Sequence, residues 1–286
     1  MSEKSDDFEK SIKDKLKQKR RDTRIDYNIL LKKFFIDSFL VNLSKSKYAT
    51  SFVWKGGFVL SAITGIEKRT TVDLDTMLNG IDLNENTLRD IIENIIYSNQ
   101  YCSIGYKLVN IEPIQEEKDY AGLRVKIAAS MSNVRDSFHI DIATGEELDS
   151  SVLEFKYKPM LEDEAINIFI YSPERILAEK LQTLLARGLA NTRMKDFYDI
   201  YVLPQTQEIS IDKLSKEFKS IMYARNTIDT WTDYKFLLDN MLLSGRMKRA
   251  WKNYGNRNEF TRGISFEKTI NSADNLLEKI SKNIEL

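Results

Sequence analysis

The chain is poor in the residues that build most metal, redox and disulfide sites. It holds a single cysteine, Cys102, and a single histidine, His139, in 286 residues. One cysteine excludes an intrachain disulfide and any zinc site of the multi-cysteine kind, and it fits a reducing compartment. One histidine likewise excludes zinc sites built on several imidazoles. A metal would therefore fall to carboxylates, whose hard oxygens suit magnesium or manganese. Net charge is absent too, with 43 basic residues against 43 acidic ones, so a polyanionic partner must be held by local patches. No apolar run approaches the roughly 20 residues that span a bilayer, and the opening MSEKSDDFEK is too charged for a signal peptide. The expectation is a cytoplasmic protein with no membrane partner. Only 4 prolines and 11 glycines occur, so each marks a break worth reading.

The apolar fraction of 42% at this length is enough for a sizeable core. Apolar residues from Phe8 to Ser44 recur at helical spacings and predict one or two helices. The run Phe52 to Trp54 leads into Gly56-Gly57, a helix through FVLSAIT ending at Gly65, a loop Ile66 to Thr70 and a strand Thr71 to Leu78. A helix is expected from Asn84 to Ser98. Tyr106 to Ile114, Leu123 to Met131 and Ser137 to Ala143 read as a β-meander, followed by an apolar run Ile166 to Tyr171. Ser172 and Pro173 then supply a cap and a first helical position. Beyond them the sequence is helical, with breaks at Gly188 to Asn191, at Pro204 and around Gly255 and Gly263. The expected fold is α/β, a mixed sheet with flanking helices over 1–171, followed by an α-helical domain over 172–286.

Three carboxylates stand in apolar surroundings. On one strand, residues two apart share a face, so Asp73 and Asp75 in "VDLDTML" would lie about 7 Å apart at the backbone. Asp141 in "FHIDIA" could join them as a third metal ligand. Such a cluster suits a divalent ion for phosphoryl or nucleotidyl transfer. The bland alternative is a solvated strand end. Gly56-Gly57 before a helix offers backbone amides at a positive terminus, a seat for phosphate; alone it would be an ordinary tight turn. The order of glycine pair, helix and D-x-D strand makes one unit of the two signals.

The stretch "KGGFVLSAITGIEKRTTVDLDTML" resembles the first motif of the nucleotidyltransferase superfamily, and most of all the AbiEii toxins of abortive-infection and toxin–antitoxin systems. A second stretch, "ERILAEKLQTLLARGLANTRMKDFYDIYVL", is similar to that family's E-K-L helix, arginine and R-x-K-D-x-x-D pattern. The resemblance covers about Trp54 to Leu203 well and the C-terminal helices loosely. It implies an NTP-dependent nucleotidyltransferase acting in phage defence, with Mg2+ or Mn2+ as the ion and GTP or CTP as the expected donor. An RNA acceptor, tRNA foremost, and a separately encoded antitoxin are also implied. The implied catalytic residues are Asp73, Asp75, Lys180, Asp196 and Asp199. The implied nucleotide-binding residues are Gly56, Gly57, Ser61, Thr71, Arg193 and Lys195. The implied metal ligands are Asp73, Asp75 and Asp141. Phe58 departs from the family, which commonly has a small hydroxyl residue after the glycine pair, and Thr71 stands where serine is usual. Phosphate would then rest on backbone amides, with Ser61 helping.

Lys180 also has a plain reading, a solvated lysine paired with Glu179 or Glu174. Asp196 and Asp199 are three apart and share a helix face. From Arg246 to Arg262 six cations face one acidic residue, interleaved with Trp251, Tyr254 and Phe260. That pattern suits RNA backbone and exposed bases or an amphipathic helix with its rings in the core. Rival functions are transfer to a protein or small molecule, and a nucleotide-binding module without turnover.

Overall fold

The structure, a computed structural model, describes residues 2–97, 103–114, 122–143 and 151–284, with side chains from residue 7. Ser98, expected as the end of a helix, and Cys102 lie outside the described residues. Two compact units divide the chain, Met1–Tyr171 and Ser172–Leu286.

The first unit runs α1 (Ser2–Thr23), α2 (Tyr27–Ser44), β1 (Phe52–Lys55), α3 (Gly56–Thr64), β2 (Leu74–Leu78) and α4 (Glu85–Tyr97). It continues with β3 (Gly105–Pro113), β4 (Gly122–Met131), β5 (Val134–Ala143), β6 (Val152–Tyr157) and β7 (Ile166–Tyr171). The strands form one seven-stranded mixed sheet in the order β3-β4-β5-β2-β1-β7-β6. β3, β4 and β5 make the expected antiparallel meander. β2 runs parallel to β5 and antiparallel to β1, and β1 runs parallel to β7.

Period two sorts the faces. Val125, Ile127, Phe138, Ile140 and Ile142 are buried, while Arg124, Lys126, His139 and Asp141 alternate with them on the other face. α2 packs against β5, β7 and α4. It is apolar nearly all round, with Leu30, Phe34, Phe35, Phe39 and Leu40 at 3% exposure or less, as expected for a helix enclosed in a core. Lys33 of α2 is buried with them because it has partners. Its ammonium donates to Asp37 Oδ1 at 2.5 Å and to the Tyr157 hydroxyl, and it lies over the Phe58 and Tyr157 rings. Burial first, and then Asp37, push the Tyr157 phenol well above its ordinary pKa, so it stays a donor.

Two strand starts and one whole strand differ from the sequence reading. β2 begins at Leu74, not Thr71. The Asp73 amide donates to Thr71 Oγ1 at 3.2 Å, a local turn that holds this residue off the strand ladder. Asp73 is therefore exposed and precedes the strand, instead of sharing a strand face with Asp75. β5 starts three residues earlier than Ser137, at Val134, and β6 was not expected at all.

The second unit holds α5 (Pro173–Arg187), α6 (Met194–Thr206), α7 (Ile211–Ala224), α8 (Tyr234–Leu243), α9 (Gly245–Arg257) and α10 (Phe266–Ser281), with short 3₁₀ turns between. Ser172 caps α5 by accepting from the Arg175 amide at 3.1 Å, and Pro173 opens the helix as expected. α5 packs on α6 and α7, and α10 on α6, α7 and α8. Pro204 does not break α6, which runs to Thr206. A proline there cannot donate to the Ile200 carbonyl one turn back, and that carbonyl accepts instead from Ser272 Oγ at 3.0 Å. α9 likewise continues through Gly255. No helix among the described residues is long and apolar enough to cross a membrane.

Candidate active site

Gly56 has φ +65, a conformation that costs an L side chain but not glycine. A Cβ there would also lie 2.5 Å from Asp75 Oδ2, and one on Gly57 would lie 3.2 Å from Thr71 Oγ1. The glycine pair is thus the contact by which α3 and the segment from Thr71 to Asp75 approach each other. Lys55, the residue before α3, gives it no side-chain cap, unlike the serines before α5, α7, α9 and α10. Gly56, Gly57, Thr71 and Asp75 are therefore together. Ser61, one helical turn after Gly57 on α3, is 5% exposed, and its Oγ is buried with no hydrogen-bond partner among the described residues. Phe58 is core, in contact with Trp54 and Tyr157.

The sheet register builds the rest of the first unit's cluster. Lys55 is opposite Asp75 across β1 and β2. Asp75 is opposite Asp141 across β2 and β5, and Asp141 is opposite Arg124 across β5 and β4. Directly paired residues project from one face, so these four make a single row with the signs plus, minus, minus, plus. Asp141 is gripped by both arms of Arg124, Nε to Oδ1 at 2.7 Å and Nη2 to Oδ2 at 2.8 Å. The Lys55 ammonium lies over the Tyr171 ring, 5.5 Å from its centroid. His139, two residues before Asp141, has its pKa lowered by burial, then by Arg124 and Lys126, which keeps the imidazole neutral. Lys55 and Arg124 were not singled out from the sequence. The basic residue before the glycine pair was a signal that could have found the first; nothing local marks the second.

The donor set of the row bears on a divalent ion. Among the described residues no three of His, Cys, Asp and Glu converge to hold a metal by themselves. The expected trio of Asp73, Asp75 and Asp141 is therefore a register pair, Asp75 and Asp141, with Asp73 outside the strand. A pair still fits magnesium, which keeps several waters and is commonly held by one or two carboxylates together with substrate phosphates.

In the second unit, α5 and α6 bring Lys180, Arg193, Asp196 and Asp199 together. Lys180 Nζ donates to Asp196 Oδ1 and is paired with Asp199 Oδ2, both at 2.7 Å. Arg193 Nε donates to Asp196 Oδ2 at 2.6 Å. The partners of Lys180 are thus these aspartates, not Glu179 or Glu174. Side-chain exposures of 12%, 3% and 0% for Lys180, Asp196 and Asp199 show a buried cluster, while the Arg193 side chain is 41% exposed. Burial pulls the Lys180 pKa down, but the two aspartates outweigh it and the net shift is upward. Burial pushes Asp196 up, and Lys180 and Arg193 more than reverse that, holding it well below the carboxylate range. The cluster joins two basic and two acidic side chains, with Lys180 and Asp196 each held in the charged form by its neighbours. Two of the three Lys180 ammonium hydrogens serve the aspartates, which leaves one to serve a further acceptor. Lys195, half-buried on α6, stands outside these contacts.

Of the aromatic residues in the basic C-terminal stretch, Trp251 is core, while Tyr254 and Phe260 are half-buried. Met247 and Trp251 of α9 are buried, Trp251 Nε1 donates to the Ile264 carbonyl at 3.0 Å, and Phe260 packs on Tyr198. The cations occupy the opposite side. Arg246 donates to the Leu189 carbonyl, whereas exposed Lys248, Arg249, Lys252 and Arg257 have no carboxylate partner among the described residues.

A family model described as "Nucleotidyl transferase AbiEii toxin, Type IV TA system" matches residues 38–277, well beyond the two motifs. No curated protein matches the chain. The chain is similar to a Helicobacter pylori protein, JHP933, at 18% identity over 90% of this chain and 95% of that one, with a TM-score of 0.50. A second H. pylori structure, described as a candidate nucleotidyltransferase, aligns at 17% identity over 92% of this chain and 100% of that one, with a TM-score of 0.49.

Proposed function

The chain belongs to the AbiEii family of nucleotidyltransferase toxins of type IV toxin–antitoxin systems, and on that premise we propose that it transfers a nucleoside monophosphate from an NTP to RNA. The family implies a separate antitoxin, NTP as substrate and a divalent ion; magnesium or manganese, GTP or CTP as donor, and tRNA as acceptor are the finer reading. The observation that carries it is the row Lys55, Asp75, Asp141 and Arg124 beside the glycine pair. It combines carboxylates for an ion with amides and cations for phosphate.

A divalent ion held by Asp75 and Asp141, with Asp73 within the same segment, would neutralise charge on the reacting phosphate. The acceptor hydroxyl bonds to the α-phosphorus as the bond to the β-phosphate oxygen breaks. Pyrophosphate leaves, and the hydroxyl proton passes to a carboxylate or to water. Gly56 and Gly57 contribute amides to phosphate oxygens, and Thr71 a hydroxyl. The family resemblance assigns positive charge for the phosphates to Lys180 and Arg193, and within the second unit Asp196 and Asp199 hold that charge in place. The unpaired cations of α9 support RNA as acceptor, since phosphate contacts dominate such affinity.

Incubation with each labelled NTP, magnesium, and separately total RNA, total protein and small-molecule acceptors tests the reading. Label in RNA alone is expected. Label only in protein or in a small molecule moves the acceptor class, and no label with any NTP rejects nucleotidyl transfer by this chain.

A further inference from the structure

We infer that Arg124 is an exchange residue of the nucleotide site: its guanidinium holds Asp141 until an NTP and its ion arrive, then moves to the triphosphate as Asp141 turns to the ion. This rests on the nucleotidyltransfer reading above.

Four observations point to it. Both Asp141 oxygens are engaged by the same guanidinium, at 2.7 and 2.8 Å, so any cation approaching that carboxylate meets a bidentate competitor. Asp141 stands directly beside Asp75 on the neighbouring strand, and like charges so placed repel. Arg124 balances that repulsion now, and a divalent ion between the carboxylates would make it redundant. Exposure is unequal, 41% for the Arg124 side chain against 17% for Asp141, so the arginine is the partner with room to swing while the strand fixes the carboxylate. Finally, a planar guanidinium matches the two oxygens of a phosphate as well as those of a carboxylate, which a lysine does not. The incoming triphosphate therefore offers the same fork the partner that it gives up.

The exchange predicts opposite effects on two ligands. Removing Arg124 should make free metal bind better, because Asp141 loses its competitor, and should make NTP bind worse, because the triphosphate loses its fork. A residue that merely staples β4 to β5 would lower thermal stability and move neither affinity.

The test uses the full chain, Arg124→Gln and Arg124→Lys. Free Mn2+ is titrated by electron paramagnetic resonance without nucleotide, each NTP is titrated in Mn2+ by calorimetry, and all three proteins are melted. Arg124→Gln is expected to bind Mn2+ several-fold more tightly than the parent and NTP at least ten-fold more weakly. Arg124→Lys should lie between them for Mn2+ and leave NTP affinity low. Parent-like affinities for both ligands in a folded Arg124→Gln overturn the inference. If that variant does not fold, a parent-like NTP affinity in Arg124→Lys overturns it as well. A parent that binds no Mn2+ even with NTP overturns the nucleotidyltransfer reading and this inference together, which separates the two failures.

Discussion

Asp75 and Asp141 face each other across parallel strands, two carboxylates side by side with a cation at each outer end of their row. Neutralising Asp75 relieves repulsion, so Asp75→Asn should melt at or above the parent temperature and lose transfer. Asp141→Asn strips Arg124 of its fork partner and should melt slightly lower; for a pair this exposed the loss is about 1 kcal/mol or less. Asp73→Ala, at an exposed position, should leave stability unchanged and reduce transfer. Melts beside a labelled-NTP assay check all three, and full activity of Asp75→Asn in magnesium would remove the metal assignment.

Gly56 and Gly65 form a matched pair of controls. Both have positive φ, +65 and +93, but a Cβ on Gly56 strikes Asp75 while one on Gly65 meets nothing within 4 Å. Each alanine variant should lose about 1–3 kcal/mol from backbone strain. Only Gly56→Ala should also lose nucleotide binding, because its methyl displaces the carboxylate. Equal nucleotide affinity in the two would show that Asp75 is not held by this contact.

Lys180→Ala would leave two aspartates buried without their shared cation. Removing one partner of such a pair costs about 3–5 kcal/mol, so lost activity in this variant must be read against its melt. Lys180→Met combined with Asp196→Asn and Asp199→Asn removes the three buried charges, leaving only the part-exposed Arg193, and should recover most of the stability with no activity. If Lys180→Ala melts with the parent and transfers normally, the cluster is neither structural nor catalytic.

The same cluster sets limits in pH. Asp196 titrates below its unfolded value, so its contribution is present above about pH 4 and is lost as acid carries the folded group through its lowered pKa. Lys180 titrates above its unfolded value, so its share is present below about pH 10 and is lost as alkali passes the raised pKa. Urea midpoints across pH should be flat for this cluster between those limits. Asp196→Asn should remove part of the acid slope; an unaltered slope would mean that other carboxylates dominate acid unfolding.

Replacing Arg246, Lys248, Arg249 and Lys252 together by glutamine should weaken RNA binding and flatten its salt dependence, about one counterion for each lost phosphate contact. NTP binding should not change. Trp251→Ala tests something else, since that ring is core and its loss should cost about 3–5 kcal/mol. Unchanged RNA modification by the quadruple variant at low and high salt would send the search for the acceptor surface to the basic stretch Lys17 to Arg21.

Local chemistry was legible in the sequence where it depends on near neighbours. The glycine pair with its helix, the Ser172-Pro173 start and the shared face of Asp196 and Asp199 are spacing rules, and the structure has them. Relations set by strand order were not. Arg124 lies 17 residues from Asp141 and meets it through antiparallel register, and Lys55 stands opposite Asp75 through another such register. Asp73 left the expected strand because the Thr71 hydroxyl competes for its amide. Pro204 passed through a helix because Ser272, far along the chain, serves the Ile200 carbonyl. Ser61 was expected to help hold phosphate, and its burial is set by how α3 packs, which spacing alone does not show.

A row whose signs cancel casts little field into solvent. Lys55, Asp75, Asp141 and Arg124 sum to zero, and so do Lys180, Arg193, Asp196 and Asp199. Neither set attracts a nucleotide from far away, because a compensated cluster looks neutral beyond a Debye length. A ligand gains from these residues only on contact, by replacing each internal partner with one of its own atoms; one that lacks oxygens for the arginine or an ion for the carboxylates strands a charge. The uncompensated cations of α9 act oppositely, drawing any polyanion in from solution and distinguishing little among them. Long-range capture and short-range selection are thus lodged in different side chains, so salt should slow the first while leaving the second nearly untouched.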